Sequence, residues 1–181
     1  GMVNPWGYAL NSWGQGFGTD GAGGAGPHYV FPGAAFPTAV GVHRVLPGLV
    51  PGKPKNTGAE FVSGRHMPER LLGSLLGNDF RANRTVRYEL KESGSGYTAE
   101  EVETVLESKH RSFRPVDIKM GPEGAIYVVD WYNAIIDHGE VDFHHPLRDK
   151  AHGRIWRLTA KGRPLVERPK IHGAPIPDLL N

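Results

Sequence analysis

The stretch Arg114–Asp130 reads RPVDIKMGPEGAIYVVD, and Asn4–Asp20 reads NPWGYALNSWGQGFGTD. Aligned without a gap, the two share a proline at the second position, a glycine at the eleventh and an aspartate at the last. Each copy predicts a strand, a four-residue turn that ends in glycine, a second strand, and an acid where that strand ends. Repetition on this scale is typical of arrays of structural units.

The copies lie 110 residues apart, which predicts a unit of about 55 residues if one further unit stands between them. A four-stranded propeller blade with one long loop has that length. We expect the middle copy at Leu71–Asp79, a small and apolar stretch that also ends in aspartate, although Pro68 could instead start a helix. The sequence therefore predicts an all-β fold, a β-propeller fragment of about three four-stranded blades at 4–57, 58–110 and 111–168, with an extended tail at 169–181.

The outer strands are predicted from a second shared pattern. Arg84–Leu90 and Arg154–Thr159 both carry Arg-x-x-Arg with apolar residues between the arginines, and both end in turn residues. His28–Pro32 is the matching short strand of the first unit. Ala99–Glu107 fits a helix by composition and a strand by its valines, and the array favours a strand. The segment Trp131–Gly153 is predicted to be a long loop between two strands.

Composition excludes several classes of function. A net charge of +2 with scattered Lys and Arg gives no sign of nucleic-acid binding, and no apolar run is long enough to span a membrane. The absence of Cys excludes disulfides, thiolate metal sites and covalently attached haem within these residues. Pro32–Thr57 is rich in Pro and Gly and predicts a long surface loop. The glycine-rich stretch 21–26 lacks the Gly-Lys-Ser/Thr ending of a phosphate loop.

A longer ordered set of residues carries a family resemblance. Its blocks are FRPVD at 113–117, GPEGAIYVVDWYN at 121–133 and RDKAHGRIWRL at 148–158. They resemble the propeller region of a family designated membrane-bound dehydrogenases, found in planctomycetes and verrucomicrobia and often joined to a cytochrome c-like haem domain. The resemblance runs from Asn4 to Pro164. That family is in turn similar to the soluble quinoprotein glucose and sorbosone dehydrogenases.

The resemblance implies a six-bladed propeller that holds pyrroloquinoline quinone and calcium on one face and oxidises a sugar substrate. It also implies an extracytoplasmic protein, either periplasmic or membrane-associated. Because the family's chains are several times longer, we expect these 181 residues to form half of a propeller, with any haem domain outside this chain. Exposed blade faces are unfavourable, so we expect two copies to pair as a homodimer, three blades plus three.

In a propeller, the loops that follow inner strands gather on one face, and here they hold the candidate site residues. Carboxylates suit calcium, for which Asp20 and Asp130 are the candidate ligands. A His beside an acid suits proton abstraction, and an Arg can neutralise a cofactor carboxylate. The candidate catalytic residues are His152, Arg148 and Asp149, and the candidate cofactor contacts are Arg154, Trp131 and His138.

The same residues have structural alternatives. An acid at the end of a strand often caps the following turn by accepting hydrogen bonds from backbone N–H groups. Arg148 and Asp149 could form a local ion pair that holds the long loop, His152 could simply bond a neighbouring loop, and Trp131 could pack between blades.

The expected function is that of a quinoprotein-type sugar or alcohol dehydrogenase. The alternative is a non-catalytic propeller that serves as a scaffold or binds carbohydrate or protein. A hydrolase needs paired carboxylates at a defined separation and ranks last. Convergence of a His, an Arg and calcium-type oxygens in one pocket would distinguish the first two.

Overall fold

The computed structural model of the chain describes residues 2–22, 26–36, 46–52, 54–168 and 170–179. Within these residues the regular structure consists of three antiparallel sheets and two short helical turns. The strands of the first sheet are, in order, β1 (Pro5–Leu10), β2 (Gly16–Asp20) and β3 (His28–Val30).

The second and third sheets follow the same plan, in which each strand pairs with its neighbour in the sequence. The second sheet contains β4 (Asn56–Phe61), β5 (Leu75–Asp79), β6 (Arg84–Ser93) and β7 (Gly96–Glu107). The third sheet contains β8 (Pro115–Met120), β9 (Ile126–Asp130) and β10 (Arg154–Leu158). Such up-and-down sheets are the blades of a propeller, and the all-β, propeller-like prediction is confirmed.

The predicted repeat is present in the strand pairing itself. In each sheet the first residue of the inner strand pairs with the acid that ends the next strand, and the register then shifts at a bulge. The three pairs are Pro5 with Asp20, Asn56 with Asp79, and Pro115 with Asp130. The middle copy was therefore placed correctly, although Pro68 does precede one turn of 3-10 helix (Glu69–Leu71).

The outer strands and the tail show details beyond the predicted plan. Among the described residues the first and third sheets have three strands rather than four. After β10 the chain crosses to the turn between β8 and β9, where the N–H of Val166 bonds the carbonyl of Glu123 at 3.0 Å, instead of returning along β10. The tail also contains one helical turn, α1 (Ile176–Leu179), which begins directly after Pro175.

The other expectations about strands hold. β6 and β10 carry the Arg-x-x-Arg pattern, and the segment at Ala99–Glu107 belongs to β7. The blade limits at residues 57, 110 and 168 stay predictions. The predicted loops at 21–26 and Pro32–Thr57 lie partly outside the described residues.

The sheets stack side by side through their inner strands, with β4 between β1 and β8. Backbones approach closely here because the inner strands carry glycines. A Cβ on Gly58 would lie 2.6 Å from the Cα of Asp117, and one on Gly7 would lie 2.5 Å from the carbonyl oxygen of Thr57. Two apolar clusters fill the spaces between sheets, one around Phe17, Phe61 and Leu75 and the other around Val62, Leu76, Ile118 and Val128.

The outer faces of the end sheets remain exposed. Tyr8 and Leu10 are 55% and 54% exposed on the first sheet, and Ile155 is 69% exposed on the third. The expected homodimer would cover these faces and stays a prediction. The longest helix in the described parts of the chain has four residues, so none there is long enough to cross a membrane.

A buried carboxylate anchors the segment that follows β10. Glu123, 2% exposed, accepts hydrogen bonds from the hydroxyl of Tyr127 at 2.5 Å and from the guanidinium of Arg157 at 3.1 Å, and Arg168 lies 3.8 Å away. The Tyr127 hydroxyl, followed by backbone and Arg157 donors, lowers the pKa of Glu123 to about 2 from an ordinary 4.5.

This anchor predicts a specific loss of stability in acid. Because the folded state lowers the pKa of Glu123, its contribution is present above about pH 4.5 and is lost as the pH falls toward 2. We expect the free energy of unfolding to fall more steeply between these values in the wild type than in Glu123→Gln, measured by urea unfolding at each pH. Glu92→Gln, at an exposed carboxylate, is the matched control. A constant difference between wild type and Glu123→Gln at all pH values would contradict the prediction.

Candidate functional site

The described residues that follow the acid-ended strands lie at one end of the sheets, at 21–22, 26–27, 80–83 and 131–153. Arg114, 8% exposed, joins the last two of these loops. Its guanidinium donates hydrogen bonds of 3.0–3.4 Å to oxygens of both loops, namely the carbonyls of Phe80, Arg81, Asn133 and Ala134 and the side chain of Asn83. The residue therefore fixes the position of the long loop relative to the second sheet.

Asp130 is saturated by protein donors. One carboxylate oxygen accepts the N–H groups of Arg114 and Tyr132 at 2.8 and 2.9 Å, and the other accepts Arg154 Nε at 2.7 Å and Trp156 Nε1 at 3.1 Å. Burial alone would raise the pKa of Asp130, but these donors hold it below its ordinary value. The carboxylate is thus ionised, and each of its oxygens already accepts two hydrogen bonds from protein groups.

Asp20 occupies the equivalent place in the first sheet and accepts the N–H groups of Val3 and Ala22 at 2.8 and 2.7 Å. Asp79 has the same place in the second sheet, where burial raises its pKa. No group of three or more His, Asp or Glu side chains within the described residues is arranged to hold a metal ion. The donors around Asp20 and Asp130 match the capping alternative, and these two acids do not fit a calcium site.

His152 and Asp149 form a dyad at the end of the long loop. His152 Nδ1 lies 2.8 Å from the Asp149 carboxylate, and the N–H groups of Ala151 and His152 also bond Asp149 at 2.9 and 2.8 Å. The Ala151 N–H, followed by the His152 side chain, lowers the pKa of Asp149, so the carboxylate is ionised and accepts a hydrogen bond from the Nδ1–H group. The lone pair of the neutral ring is then on Nε2, which has no hydrogen-bond partner among the described residues.

Tyr132 lies beside the dyad and has left-handed backbone geometry, with φ of 55°. Its ring stacks on His110 at 5.6 Å between centroids, meets the edge of His152 at 6.0 Å and lies 4.2 Å from the guanidinium carbon of Arg154. A non-glycine residue in this conformation is strained, and such strain is concentrated at functional sites. Tyr132 therefore connects the dyad to Arg154 and, through Arg154, to Asp130.

A cleft of about 500 Å³ opens next to Asp149. Four of the predicted site residues line it, together with aromatic and basic neighbours: Trp131, His138, Arg148 and Asp149, with Phe143 and Lys150. The other predicted site residues, namely His152, Arg154, Asp20 and Asp130, are not among the residues that line this cleft. The catalytic and cofactor roles of the predicted residues stay predictions.

Arg148 stabilises the fold of the long loop within this cleft. Its Nε and Nη2 atoms donate to the backbone carbonyls of the long loop, at Asp137, His138, Val141 and Asp142, over 2.8–3.1 Å. The alternative of an ion pair with Asp149 differs from this geometry in its partner, because the guanidinium holds the long loop through these carbonyls. Of its nitrogens only Nη1 has no hydrogen bond to the described residues.

Sequence reasoning missed Arg114 and His110. In the sequence Arg114 stands out only as part of the repeat and of the FRPVD block. Its role depends on two loops whose approach no local pattern reveals. Arg114 directly precedes β8, and Asn4 and Lys55 take the same position before β1 and β4. In each sheet the backbone carbonyl of this residue accepts a hydrogen bond from the N–H of the residue that follows the strand-ending aspartate, at 2.9–3.3 Å. That shared position is the only signal in the sequence that could have drawn attention to Arg114.

Comparison with solved structures shows likeness in fold. The chain superposes on a protein of Thermus thermophilus described as an oxidoreductase (glucose dehydrogenase), with TM-score 0.56, 22% identity and coverage of 84% of this chain and 44% of that one. Two further glucose dehydrogenases each give TM-score 0.51 and 20% identity over 87% of this chain and 40% or 45% of theirs. The chain thus spans less than half the length of these structures.

A search of curated proteins gave no match. A family model matches residues 50–162, which covers the second and third sheets and the long loop that carries the dyad and the cleft. The chain therefore belongs to the family described as a domain of unknown function, DUF7133.

Proposed function

We propose that this chain is part of a propeller dehydrogenase that oxidises a hydroxyl group of a sugar or related alcohol, with His152 as the proton acceptor. The Asp149–His152 dyad beside a cleft with an aromatic wall is the observation that carries the proposal. The glucose dehydrogenases with the same fold support a dehydrogenase in coarse terms. Kinship with the membrane-bound dehydrogenases and an extracytoplasmic location are part of the proposal.

The chain's own residues account for the proton. Asp149 holds the ring of His152 in one orientation and favours the tautomer with the proton on Nδ1. Nε2 then accepts the proton of a substrate hydroxyl, and Asp149 stabilises the imidazolium that results. The exposed face of Trp131 is suited to stack on a sugar ring, which would place a hydroxyl near the dyad.

A quinone cofactor with acidic substituents fits the residue types of the cleft. Lys150 and the free Nη1 of Arg148 would hold its carboxylates, while Trp131 and Phe143 would contact its flat face. Such a quinone would accept the hydride from the carbon that bears the hydroxyl. Pyrroloquinoline quinone is the candidate of this class, and calcium is left out because Asp20 and Asp130 do not fit it.

The test is dye-linked oxidation of aldoses and alcohols by the purified chain with added pyrroloquinoline quinone. His152→Ala should reduce kcat/KM at least about 100-fold, because removal of a general base costs that much or more. Asp149→Asn should reduce it less and shift the pH profile. Quinone binding, followed by tryptophan fluorescence, should be unchanged in both variants and weakened in Lys150→Glu.

His172→Ala is the matched control, since this histidine is exposed and lies in the tail. Equal loss in His172→Ala and His152→Ala, or turnover unaffected by His152→Ala, would contradict the role of the dyad. Saturable sugar binding with no turnover at any quinone concentration would favour the alternative, a carbohydrate-binding scaffold.

A further inference from the structure

β10 is an edge strand whose outer side is open. It pairs with β9 along one side, and its other side has no backbone hydrogen bond to any described residue. β6 is its counterpart in the second sheet, because Asp79 pairs with Arg84 as Asp130 pairs with Arg154. β6, however, is paired along its whole length with β7. Such a row of unpaired N–H and C=O groups is a template on which another strand can pair.

A groove of about 520 Å³ with mixed apolar and basic lining lies beside this open edge, between the second and third sheets. Its floor is formed by buried side chains of the interface that joins the two sheets, and Arg70, Arg157 and Lys161 lie at its rim. The floor residues are Met67, Leu71 and Ile126, with Val105, Leu106 and Leu158 packed against them. The groove therefore continues an interface already present in the fold.

The charges on β10 match those that a neighbouring strand neutralises in the second sheet. There Arg84 binds Glu101 of β7 at 2.5 Å, and Arg87 binds Glu103 at 3.3 Å. Arg154 and Arg157 stand at the same places on β10, where Arg154 binds Asp130 at 2.7 Å and Arg157 binds Glu123 at 3.1 Å, and their side chains stay 31% and 42% exposed. Arg84 likewise lies 3.8 Å from Asp79 and still binds Glu101. A strand added to β10 would meet these arginines as β7 meets those of β6.

We propose that the open edge of β10 and its groove bind an extended peptide strand, antiparallel to β10, as the fourth strand of the third sheet. The backbone of the peptide pairs with β10, which gives affinity by β-strand addition. Specificity comes from acidic residues two apart opposite Arg154 and Arg157, and from apolar side chains that enter the groove. The groove shares no lining residue with the cleft, and although Arg154 also contacts Tyr132 beside the dyad, the inference does not depend on the proposed dehydrogenase activity.

The chain itself supplies a probe, the β7 sequence TAEEVETVLE of residues 98–107. A labelled synthetic copy should bind the full-length chain saturably at low salt in fluorescence anisotropy. A copy with Lys at the two positions that match Glu101 and Glu103 should bind at least about ten-fold more weakly, a difference of about 1.4 kcal/mol. Lys161→Glu in the protein should weaken binding, whereas Lys170→Glu, outside the groove, should not.

Amide hydrogen exchange locates the peptide. Bound peptide should slow exchange at alternate residues of β10 and leave β6 and β7 unchanged. Absence of saturable binding up to about 1 mM peptide would overturn the proposal. Protection at β6 instead would overturn it too, because the peptide would then be replacing β7. Concentration-dependent dimers with protected β10 amides in the absence of peptide would assign the edge to a second copy instead.

Discussion

Arg114→Ala should lower the free energy of unfolding by about 4 kcal/mol, because it removes a buried charged donor that five oxygens share. The side chain spans the loops after β5 and β9, and its loss leaves four backbone carbonyls without this donor. Burial, followed by the nearby charge of Arg111, lowers the pKa of the guanidinium, so the hydrogen bonds to these oxygens offset an unfavourable environment for the charge. Urea unfolding followed by tryptophan fluorescence measures the change.

Two variants control this prediction. Arg111→Ala, at an exposed position three residues earlier, should cost less than about 0.5 kcal/mol. Arg114→Lys should recover only a small part of the loss, because one ammonium group cannot reach oxygens spread along both loops. If Arg114→Ala is as stable as Arg111→Ala, the guanidinium does not hold the two loops together.

Phe17→Ala should cost a similar amount, about 4 kcal/mol, by opening a cavity between the first two sheets. The ring is fully buried and contacts Phe61, Tyr29 and Tyr97 at centroid distances of 5.2–5.4 Å. These partners come from three strands of two sheets, so the substitution weakens the contact between blades as well as the fold of one blade. Chemical unfolding should show the loss without a change of secondary structure in the folded state.

Phe31→Ala is the control for this second prediction. Phe31 is 54% exposed and meets Tyr29 only at its edge, so its removal should cost less than about 1 kcal/mol. Equal effects for the two phenylalanines would mean that the first sheet does not depend on its packing against the second.

The fold could be predicted from the sequence because its main signal is periodic. The Pro, Gly and Asp positions shared by the two copies correspond to the start of an inner strand, the turn and the end of the second strand. The number of strands per sheet could not be predicted, because it depends on where Val166 and its neighbours go after β10, which tertiary hydrogen bonds decide.

The candidate site was predictable only in part. His152 and Asp149 are three residues apart, and so their pairing follows from a short turn. Trp131 and His138 reach the same cleft because they belong to one loop. Arg148 shows the limit of this reasoning, since its choice of carbonyls over a carboxylate depends on the path of the loop. The capping of Asp130 by Arg154 and Trp156 likewise requires the register of β10.

The aspartate that ends the second strand of each sheet accepts a hydrogen bond from the backbone of the loop that follows. This arrangement affects how such a protein can diversify. An aspartate at the equivalent position and a bulge beside it are present in all three sheets. The connection to the next strand is nevertheless short after Asp79 and long after Asp130. Because the junction satisfies its own polar groups, insertions or exchanges beyond it leave the blade undisturbed. New binding chemistry can therefore be acquired by swapping a single connection, while the underlying scaffold is inherited intact.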